Sequence, residues 1–365
     1  MAPRLARDLH PVAWWIWAIG LATAATLTTN PLLLLLLVAT AAVVVMARRS
    51  DHPWARSFRL YLLLGLSIVI IRVAFRIIFG GVAQGNVLVD LPTVPLPDWV
   101  AGIRLLGPIT QEALLAGLYD GLRLAAIVIC IGAANSLANP KRLLKTVPPA
   151  LYEIGTALVV AVTVFPQLAD SARRVRAAQA LRGDVSGRIG RLRRFLVPVL
   201  EDALERSLSL AAGMDARGYG RSGTATRGQR WTTGVLLLSA LLGVCIGTYA
   251  LLDQSAPRWL AVPMLVTGAV VAVVGMVSAG RRVERSRYRP DRWRTAEVVV
   301  AACGLVVGVV VWQLGRTEPL VAYPSVSAMP YLSLIALTGA LVGLVPAVAA
   351  PPPRQPIATP LEVGA

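Results

Sequence analysis

Long apolar runs are the feature that most constrains how this chain can fold. They are separated by short polar or proline-containing stretches, and most approach the ~20 residues that an α-helix needs to cross a bilayer. Of the 365 residues, 56% are hydrophobic and 15% are charged, whereas a soluble domain has roughly 25% charged residues. The sequence therefore predicts an all-α, polytopic membrane helix bundle. The runs cover 12–29, 31–47, 60–79, 113–135, 150–166, 232–252, 259–279, 296–314 and 328–350.

The basic charge of the chain is unevenly distributed. Its formal net charge is +17, and nearly all of the cations are arginines, since Lys141 and Lys145 are the lysines present. Most of them fall in alternate inter-helix segments, which is the positive-inside pattern of membrane proteins. No nucleic-acid-binding motif accompanies the charge, so we expect no nucleic-acid partner. Anionic lipid headgroups are the expected surface partner.

The apolar run at 150–166 decides the topology. If it crossed the membrane, the arginine-rich segment 167–230 would face the side opposite to 136–149, against the positive-inside rule. If it does not cross, the basic segments share one side, and the remaining runs make about eight spans with both termini in the cytoplasm. We therefore expect 150–166 to be an apolar helix that lies in or against the cytoplasmic face of the membrane, covered by other helices.

This topology predicts a division of the chain into four parts. Residues 1–135 form N-terminal transmembrane helices, and 136–230 form a long cytoplasmic segment. Residues 231–350 form C-terminal transmembrane helices. The proline-rich tail at 351–365 is expected to be disordered.

Two helical stripes stand out in the cytoplasmic segment. Each repeats at intervals of three and four residues, which places its members on one helix face. Each ends in an arginine followed by glycine. The first stripe is Leu168, Ala172, Val175, Gln179 and Arg182, before Gly183; the second is Leu196, Leu200, Ala203, Ser207, Leu210, Met214 and Arg217, before Gly218.

An arginine at such a helix end has two interpretations. Glycine after the last turn adopts the left-handed conformation that terminates a helix, and a cation there suits the helix dipole. The guanidinium can then project from the tip and bind a partner carboxylate with two hydrogen bonds. Alternatively, both arginines are ordinary caps that reach lipid headgroups.

The same region resembles a known family. The stretch from Asn139 to Asp184 contains "AQALRGD", and Pro198 to Gly220 ends in "GMDARGYG". Together they resemble the transmembrane T component of energy-coupling factor (ECF) transporters, bacterial importers of vitamins and of cobalt or nickel ions. The resemblance is dense over about 136–221 and extends from residue 1 to about 252.

The resemblance implies a role for the two helix tips. In the family the arginine of each motif docks on one of two ABC ATPase subunits, and a small substrate-binding (S component) membrane protein completes the importer. That role would fall here on Arg182 and Arg217, flanked by Leu181, Gly183, Ala216 and Gly218. The chain departs from the family in having leucine before Arg182, and in about three further spans after residue 252.

The chain is not expected to be an enzyme or to hold a cofactor or a metal ion. It lacks the GxxxxGK[ST] sequence of a P-loop, so ATP would be bound by partner subunits. Four charged residues inside predicted spans are weaker functional candidates, although an interhelical ion pair or snorkelling explains them more simply. They are Arg72, Arg76, Asp120 and Arg123.

The residues by themselves are compatible with two other functions. A self-sufficient secondary transporter would show inverted repeats around a midplane site, and no convincing repeat is found. A membrane-embedded lipid-modifying enzyme would need clustered acidic or histidine side chains. Glu201, Asp202 and Glu205 do cluster, but pairing with Arg206 and its neighbours is the expected reason.

Overall fold

The structure is a computed structural model that describes residues 6–50, 57–79, 86–92, 94–95, 104–182, 188–218, 227–253, 257–280 and 291–353. The described chain is almost entirely helical, which confirms the all-α membrane bundle predicted from the sequence. Two compact units are present. The first contains residues 1–143 and 291–365, and the second contains residues 144–290.

The first unit begins with a helical hairpin. Helix α1 (Pro11–Thr26) and helix α2 (Pro31–Arg48) both start at proline, whose fixed φ suits the first helical turn. Asn30 lies between them and caps the start of α2, because its Oδ1 accepts a hydrogen bond from the Leu32 backbone amide at 3.0 Å. Helix α3 (Phe58–Ile78), helix α4 (Gln111–Leu137) and the short helix α5 (Pro140–Leu144) follow.

Four short strands lie in the described part of the connection between α3 and α4. Strand β1 (Val87–Asp90) pairs antiparallel with β4 (Pro108–Thr110), and β2 (Val94–Pro95) pairs with β3 (Arg104–Leu105). The prolines of this connection gave it the character of a loop in the sequence. Leu106 and Gly107 both have positive φ, at 62° and 134°, where the chain turns into β4.

The C-terminal helices pack back onto the start of the chain. They are α10 (Thr295–Thr317), α11 (Pro319–Ala322), α12 (Leu334–Val342) and α13 (Val345–Ala349). Helix α10 contacts α1, and both α12 and α13 contact α2. The fully buried side chains of this unit include Trp17, Leu21, Leu37, Val307 and Leu314. We refer to residues 291–353 as the C-terminal extension.

Close helix contacts in the first unit depend on glycine. A Cβ atom on Gly20 would overlap the carbonyl group of Gly304, and one on Gly304 would overlap the backbone of Trp17. Between α3 and α4, a Cβ on Gly121 would lie 3.0 Å from the Cα of Val69. Gly121 and Gly304 belong to the GxxxG spacings Gly117/Gly121 and Gly304/Gly308, which mark real contacts here because small residues let helix backbones approach.

The second unit contains two long helices and a further helical pair. A 3-10 turn (Pro149–Leu151) leads into α6 (Tyr152–Arg182), which is followed by α7 (Arg188–Ala216), α8 (Arg227–Leu252) and α9 (Arg258–Gly280). Helices α8 and α9 pack closely through Gly243 and Gly268, where a Cβ on Gly243 would lie 3.1 Å from the Gly268 Cα.

Seven of the described helices are long and apolar enough to cross a membrane. They are α2, α3, α4, α6 from Ile154 onward, α8, α9 and α10. The first and last predicted spans correspond to shorter apolar helices, Pro11–Thr26 and Leu334–Ala349. The chain is thus a multi-pass membrane protein. That 150–166 stays on one side rests on charge balance, which helix length and composition do not test, so it stays a prediction.

The two units follow different boundaries from the four-part division expected from the sequence. That division followed the order of segments along the chain, whereas helix packing joins the N-terminal helices to α10–α13. The four-part organisation stays a prediction. Within the tail, residues 354–365 lie outside the described residues.

Candidate functional site: the α6–α7 helix pair

Helix α6 joins two segments that the sequence analysis treated separately. The apolar run at 150–166 and the first stripe are parts of one 31-residue helix, with Pro166 inside it. Beyond Pro166 the predicted stripe is the less exposed face: Leu168, Ala172, Val175 and Gln179 are half-buried, whereas most residues between them are exposed. From Leu168 to Gln179 the first stripe is therefore the packed face of the helix.

The second stripe is only partly the packed face of α7. Ala203 and Met214 are half-buried, but Leu196, Leu200 and Ser207 are exposed. The less exposed residues also include Phe195, Val199, Asp202 and Arg206, each one residue before a member of the stripe, which is a rotation of about 100° around the helix. Leucine spacing identifies an apolar face of a helix without showing which neighbour covers it.

Asp202 is the polar centre of the contact between the two helices. Its carboxylate accepts a hydrogen bond from Arg206 Nε at 3.0 Å on α7, and lies 3.5 Å from Arg174 Nη2 on α6. The buried Ser171 hydroxyl and then the Arg206 guanidinium hold the pKa of the Asp202 carboxyl below its ordinary value. The pairing predicted for this acidic cluster is confirmed for Asp202, which joins α6 to α7.

The helices run antiparallel where they meet. Asp202 faces Ser171 and Arg174, while the Arg176 guanidinium lies 5.6 Å from the centre of the Phe195 ring. The C-terminal end of α6 therefore points toward the N-terminal end of α7. From Phe195 to the last turn of α7 the helix rises about 30 Å, at 1.5 Å per residue. Arg182 and Arg217 thus lie toward opposite ends of the pair.

Arg182 is the last residue of α6. Leu181, immediately before it, has 89% of its surface exposed, so this end of the helix is open to a partner. Gly183 and the side chain of Arg182 lie outside the described residues. The predicted glycine cap on α6 therefore stays a prediction.

Arg217 follows the end of α7 in the way the sequence predicts. The helix ends at Ala216, and Gly218 has a φ of 72°, the left-handed conformation expected after a helix C-terminus. The Gly218 amide donates to the Asp215 carbonyl at 2.9 Å and the Arg217 amide donates to the Met214 carbonyl at 3.1 Å. Ala216 and Arg217 are both exposed.

An open groove of about 610 Å³ runs beside Arg217. Gln167 of α6 forms one part of its wall, and α7 supplies the rest. Its polar lining carries both signs of charge, which suits a partner surface with mixed charge more than a purely anionic ligand. The α7 residues in the wall are Asp202, Glu205, Arg206, Ser209, Leu210, Gly213, Met214 and Arg217.

Comparison with known proteins identifies the family. A family model described as CbiQ, cobalt transport protein, matches residues 3–227, which is more than half of the chain. This chain belongs to the CbiQ cobalt transport protein family. The match includes both Arg-Gly motifs and ends before the body of α8. The resemblance to ECF transporter T components is therefore confirmed at the level of the family.

Two curated relatives agree with this assignment. The energy-coupling factor transporter transmembrane protein EcfT of Exiguobacterium sibiricum is 33% identical over 113 residues, covering 28% of this chain and 43% of the relative. EcfT of Streptococcus thermophilus is 28% identical over 175 residues, covering 45% of this chain and 62% of the relative. The chain thus spans about half the length of these relatives.

The charged residues inside the spans of this CbiQ family member are held by helix–helix contacts. Arg76 of α3 lies 3.4 Å from Asp120 of α4, the interhelical pair expected from the sequence. Arg123 donates to the carbonyl of Thr26 at the end of α1. Arg72 of α3 lies against Gly121 of α4, since its Cβ is 3.2 Å from the place where a Cβ on Gly121 would stand. A functional role for these residues stays the weaker of the two interpretations given by the sequence.

Sequence reasoning missed the role of the C-terminal extension in the fold. Asn30 is buried, and its side-chain Nδ2 donates hydrogen bonds to the backbone carbonyls of Val321 and Tyr331 at 2.8 and 2.9 Å. The Trp17 indole donates to Gly343 at 3.1 Å. The Gly304/Gly308 spacing was the available signal, but a glycine-rich chain produces such spacings by chance.

Proposed function

We propose that this chain is the membrane-embedded, non-catalytic energy-coupling subunit of an ECF-type importer. Two ABC ATPase subunits bind and hydrolyse ATP, and their movement passes through the α6–α7 pair to a separate S component that holds the substrate. The chain itself binds no cofactor. The importer resides in the bacterial cytoplasmic membrane, with both termini of this chain in the cytoplasm.

The observation that carries this proposal is the placement of the two arginines. Helices α6 and α7 are antiparallel and joined at Asp202, so their Arg-Gly ends point away from each other. Two ATPase subunits can then be engaged at separate places by one rigid element. The exposed ends at Leu181 and Arg217 are accessible for such contacts.

The chemistry of docking follows from the guanidinium group. Arginine presents a planar fork that binds a carboxylate or backbone carbonyls with fixed geometry, whereas lysine offers a point charge. At Arg217 the turn at Gly218 ends the helix immediately behind the side chain. The adjacent groove includes Glu205, whose carboxylate provides an acceptor for a cationic group of the same partner.

The family description makes cobalt the first substrate to test. Vitamins and other transition-metal ions are the wider substrate class of such importers. Selection of the substrate belongs to the S component in this proposal, so the chain serves as a scaffold. Anionic lipids would contact the exposed Arg193 and Arg194 at the start of α7.

Co-purification in mild detergent tests the proposal. The tagged chain is expressed with its candidate ATPase pair as wild type, as Arg182→Glu with Arg217→Glu, and as Arg173→Glu. Arg173 is a matched control, since it is exposed on α6 and pairs with Asp170 of the same helix. We expect the wild type and the control to retain both ATPases and the double variant to lose them, because reversing a docked charge costs roughly 2–5 kcal/mol.

Two results would contradict the proposal. Equal retention by all three forms would show that the arginines are only helix caps. Absence of the ATPases from the wild-type complex would contradict the assignment of this chain as an energy-coupling subunit.

A further inference from the structure

An ionic cluster fastens the C-terminal extension to the connection that leads into the α6–α7 pair. It consists of Arg7, Asp8, Arg142, Asp291 and Glu297, all in the first unit. The cluster brings together three parts of the chain that are far apart in sequence: the N-terminus, the segment after α4, and the start of the extension. The family match ends at residue 227, so two of its five members lie beyond the matched region.

Arg142 is the centre of the cluster. Its Nη2 and Nε lie 2.9 and 3.1 Å from Asp291 Oδ2, and its Nη1 donates to the backbone carbonyl of Asp8 at 3.1 Å. The Asp8 carboxylate lies 3.8 Å away. The side chain is 21% exposed, so one guanidinium is held from two sides in a partly buried position. Contacts of this forked kind restrain orientation as well as distance.

A second ion pair fixes the extension beside Arg142. Arg7 Nη2 lies 2.8 Å from Glu297 Oε2, and the Glu297 side chain is only 1% exposed. Glu297 also accepts the Arg294 amide at 3.2 Å, which caps the start of α10. The Arg7 amide donates to the Pro352 carbonyl at 3.1 Å. The extension is therefore attached to the N-terminus at both of its ends.

The segment that carries Arg142 is the elbow, residues 138–144. It follows α4 directly, and Asn139 Oδ1 accepts the Lys141 amide at 3.0 Å to start α5. A five-residue helix has little stiffness of its own, because so few hydrogen bonds hold its dihedral angles. The chain then continues into α6. The contacts of Arg142 join the elbow to the N-terminus and to the C-terminal extension.

We propose that Asp291 and Glu297 of the C-terminal extension form a positioning clamp on the elbow. The clamp passes movement of α6 on to α4 and α10 instead of allowing it to be absorbed by a flexible connection. Arg142 is the positioning residue through which the clamp acts. This inference rests on the function proposed above, and it assigns to the extension a part in energy coupling.

Asp291 allows the clamp to be opened without unfolding the protein. Its side chain is 42% exposed, and pairs of this exposure contribute little to stability. Asp291→Asn therefore weakens the restraint on Arg142 while leaving Asp8 in place. Arg316→Gln is the matched control, because Arg316 is an exposed arginine at the other end of α10, where it stacks on Trp312 at 5.0 Å.

Hydrogen–deuterium exchange of the complex with its ATPases tests the clamp. Exchange is compared without nucleotide and with ATP plus vanadate, for the wild type, Asp291→Asn, Arg142→Lys and Arg316→Gln. In the wild type and the Arg316 control we expect nucleotide to change exchange in α6–α7 and also in the elbow and the adjoining end of α4. In Asp291→Asn we expect the change in α6–α7 to persist and the change in the elbow and α4 to be lost. Arg142→Lys keeps the positive charge, so this variant should retain part of the nucleotide-dependent change in the elbow and α4.

The remaining outcomes separate this inference from the proposed function. A response in Asp291→Asn identical to that of the wild type would overturn the clamp, as would a wild-type response confined to α6–α7. In both cases the ATPases remain bound and the proposed function stands. Absence of any ATPase binding by the wild type would instead overturn the proposed function, and the clamp with it.

Discussion

At the scale of single residues, glycine and arginine carry most of the information in the α6–α7 pair. Gly218 is required because the chain adopts a left-handed conformation there, and Arg217 is exposed just before it. Both features could be predicted from the motif, since helix termination by glycine is a local property of the backbone. The contacts of Asp202 with Arg174 could not, because they depend on how two helices meet.

Gly218→Ala is predicted to destabilise the end of α7. An L-residue in the left-handed region costs about 1–2 kcal/mol, so thermal unfolding of the purified protein should shift to lower temperature. Gly213→Ala is the matched control, because Gly213 lies inside α7 with no atom within 4 Å of a new Cβ. It should stabilise the helix by about 0.5–1 kcal/mol. Equal effects of the two variants would contradict the structure at this turn.

His10 is predicted to make the stability of the first unit depend on pH. Burial lowers the pKa of its imidazole, and Arg142 lowers it further, while Asp291 and Glu297 raise it. Its Nδ1 accepts the Val12 amide at 3.3 Å and caps α1, which requires an unprotonated nitrogen. Because the neutral form is favoured in the folded state, stability is complete above pH ~6.5 and falls as pH decreases through the lowered pKa.

A comparison of thermal unfolding across this pH range measures the effect. Asparagine can also cap a helix but does not titrate, so His10→Asn should lose the pH dependence while remaining folded. A variant as sensitive to acid as the wild type would show that other groups are responsible.

At the scale of helices, the sequence predicted where most elements lie and missed how some of them pack. Apolar runs identified the spans because bilayer thickness fixes their length. Leu196 and Leu200 on α7 show the limit of this reasoning. They are exposed, because an apolar helix face can be a contact surface for lipid or for a partner instead of a part of the core. The strands β1 and β4 were missed because short pairs in a proline-rich connection have no clear periodicity.

The contact between α1 and α10 is predicted to tolerate no side chain larger than glycine at its centre. A Cβ on Gly304 would overlap the backbone of Trp17, and overpacking of a close contact costs about 1–3 kcal/mol. Gly304→Ala should therefore lower the temperature of unfolding. Gly234→Ala is the control, since nothing lies within 4 Å of a Cβ at Gly234 on α8. If the two variants are equally stable, α1 and α10 do not meet through this glycine.

At the scale of the whole molecule, the C-terminal extension belongs to the same compact unit as the N-terminal helices. Neither the family resemblance nor the local sequence predicted this, because the extension lies outside the matched region and its contacts span some 300 residues of the chain. Buried hydrogen bonds from Trp17, Thr28 and Asn30 join the two parts. The extension is therefore a structural part of the first unit.

Cleavage before the extension is predicted to leave the two fragments associated. Cleavage at a protease site placed in the segment 281–290 would break the covalent link between α10–α13 and the rest of the chain. The packing of α10 on α1 would remain. We expect both fragments to elute together in size-exclusion chromatography in mild detergent. Adding Gly304→Ala should release the C-terminal fragment more readily. Spontaneous separation of the unmodified fragments would contradict the packing described here.

The central claim is that the two Arg-Gly ends touch different ATPase subunits. Photo-crosslinking tests it most directly, with a benzophenone amino acid placed at Leu181, at Ala216, and as a control at the exposed Leu241 of α8. The account predicts that position 181 crosslinks to one ATPase subunit, that position 216 crosslinks to the other, and that position 241 crosslinks to neither. Crosslinks to lipid alone from both helix ends, or ATPase crosslinks only from position 241, would contradict it.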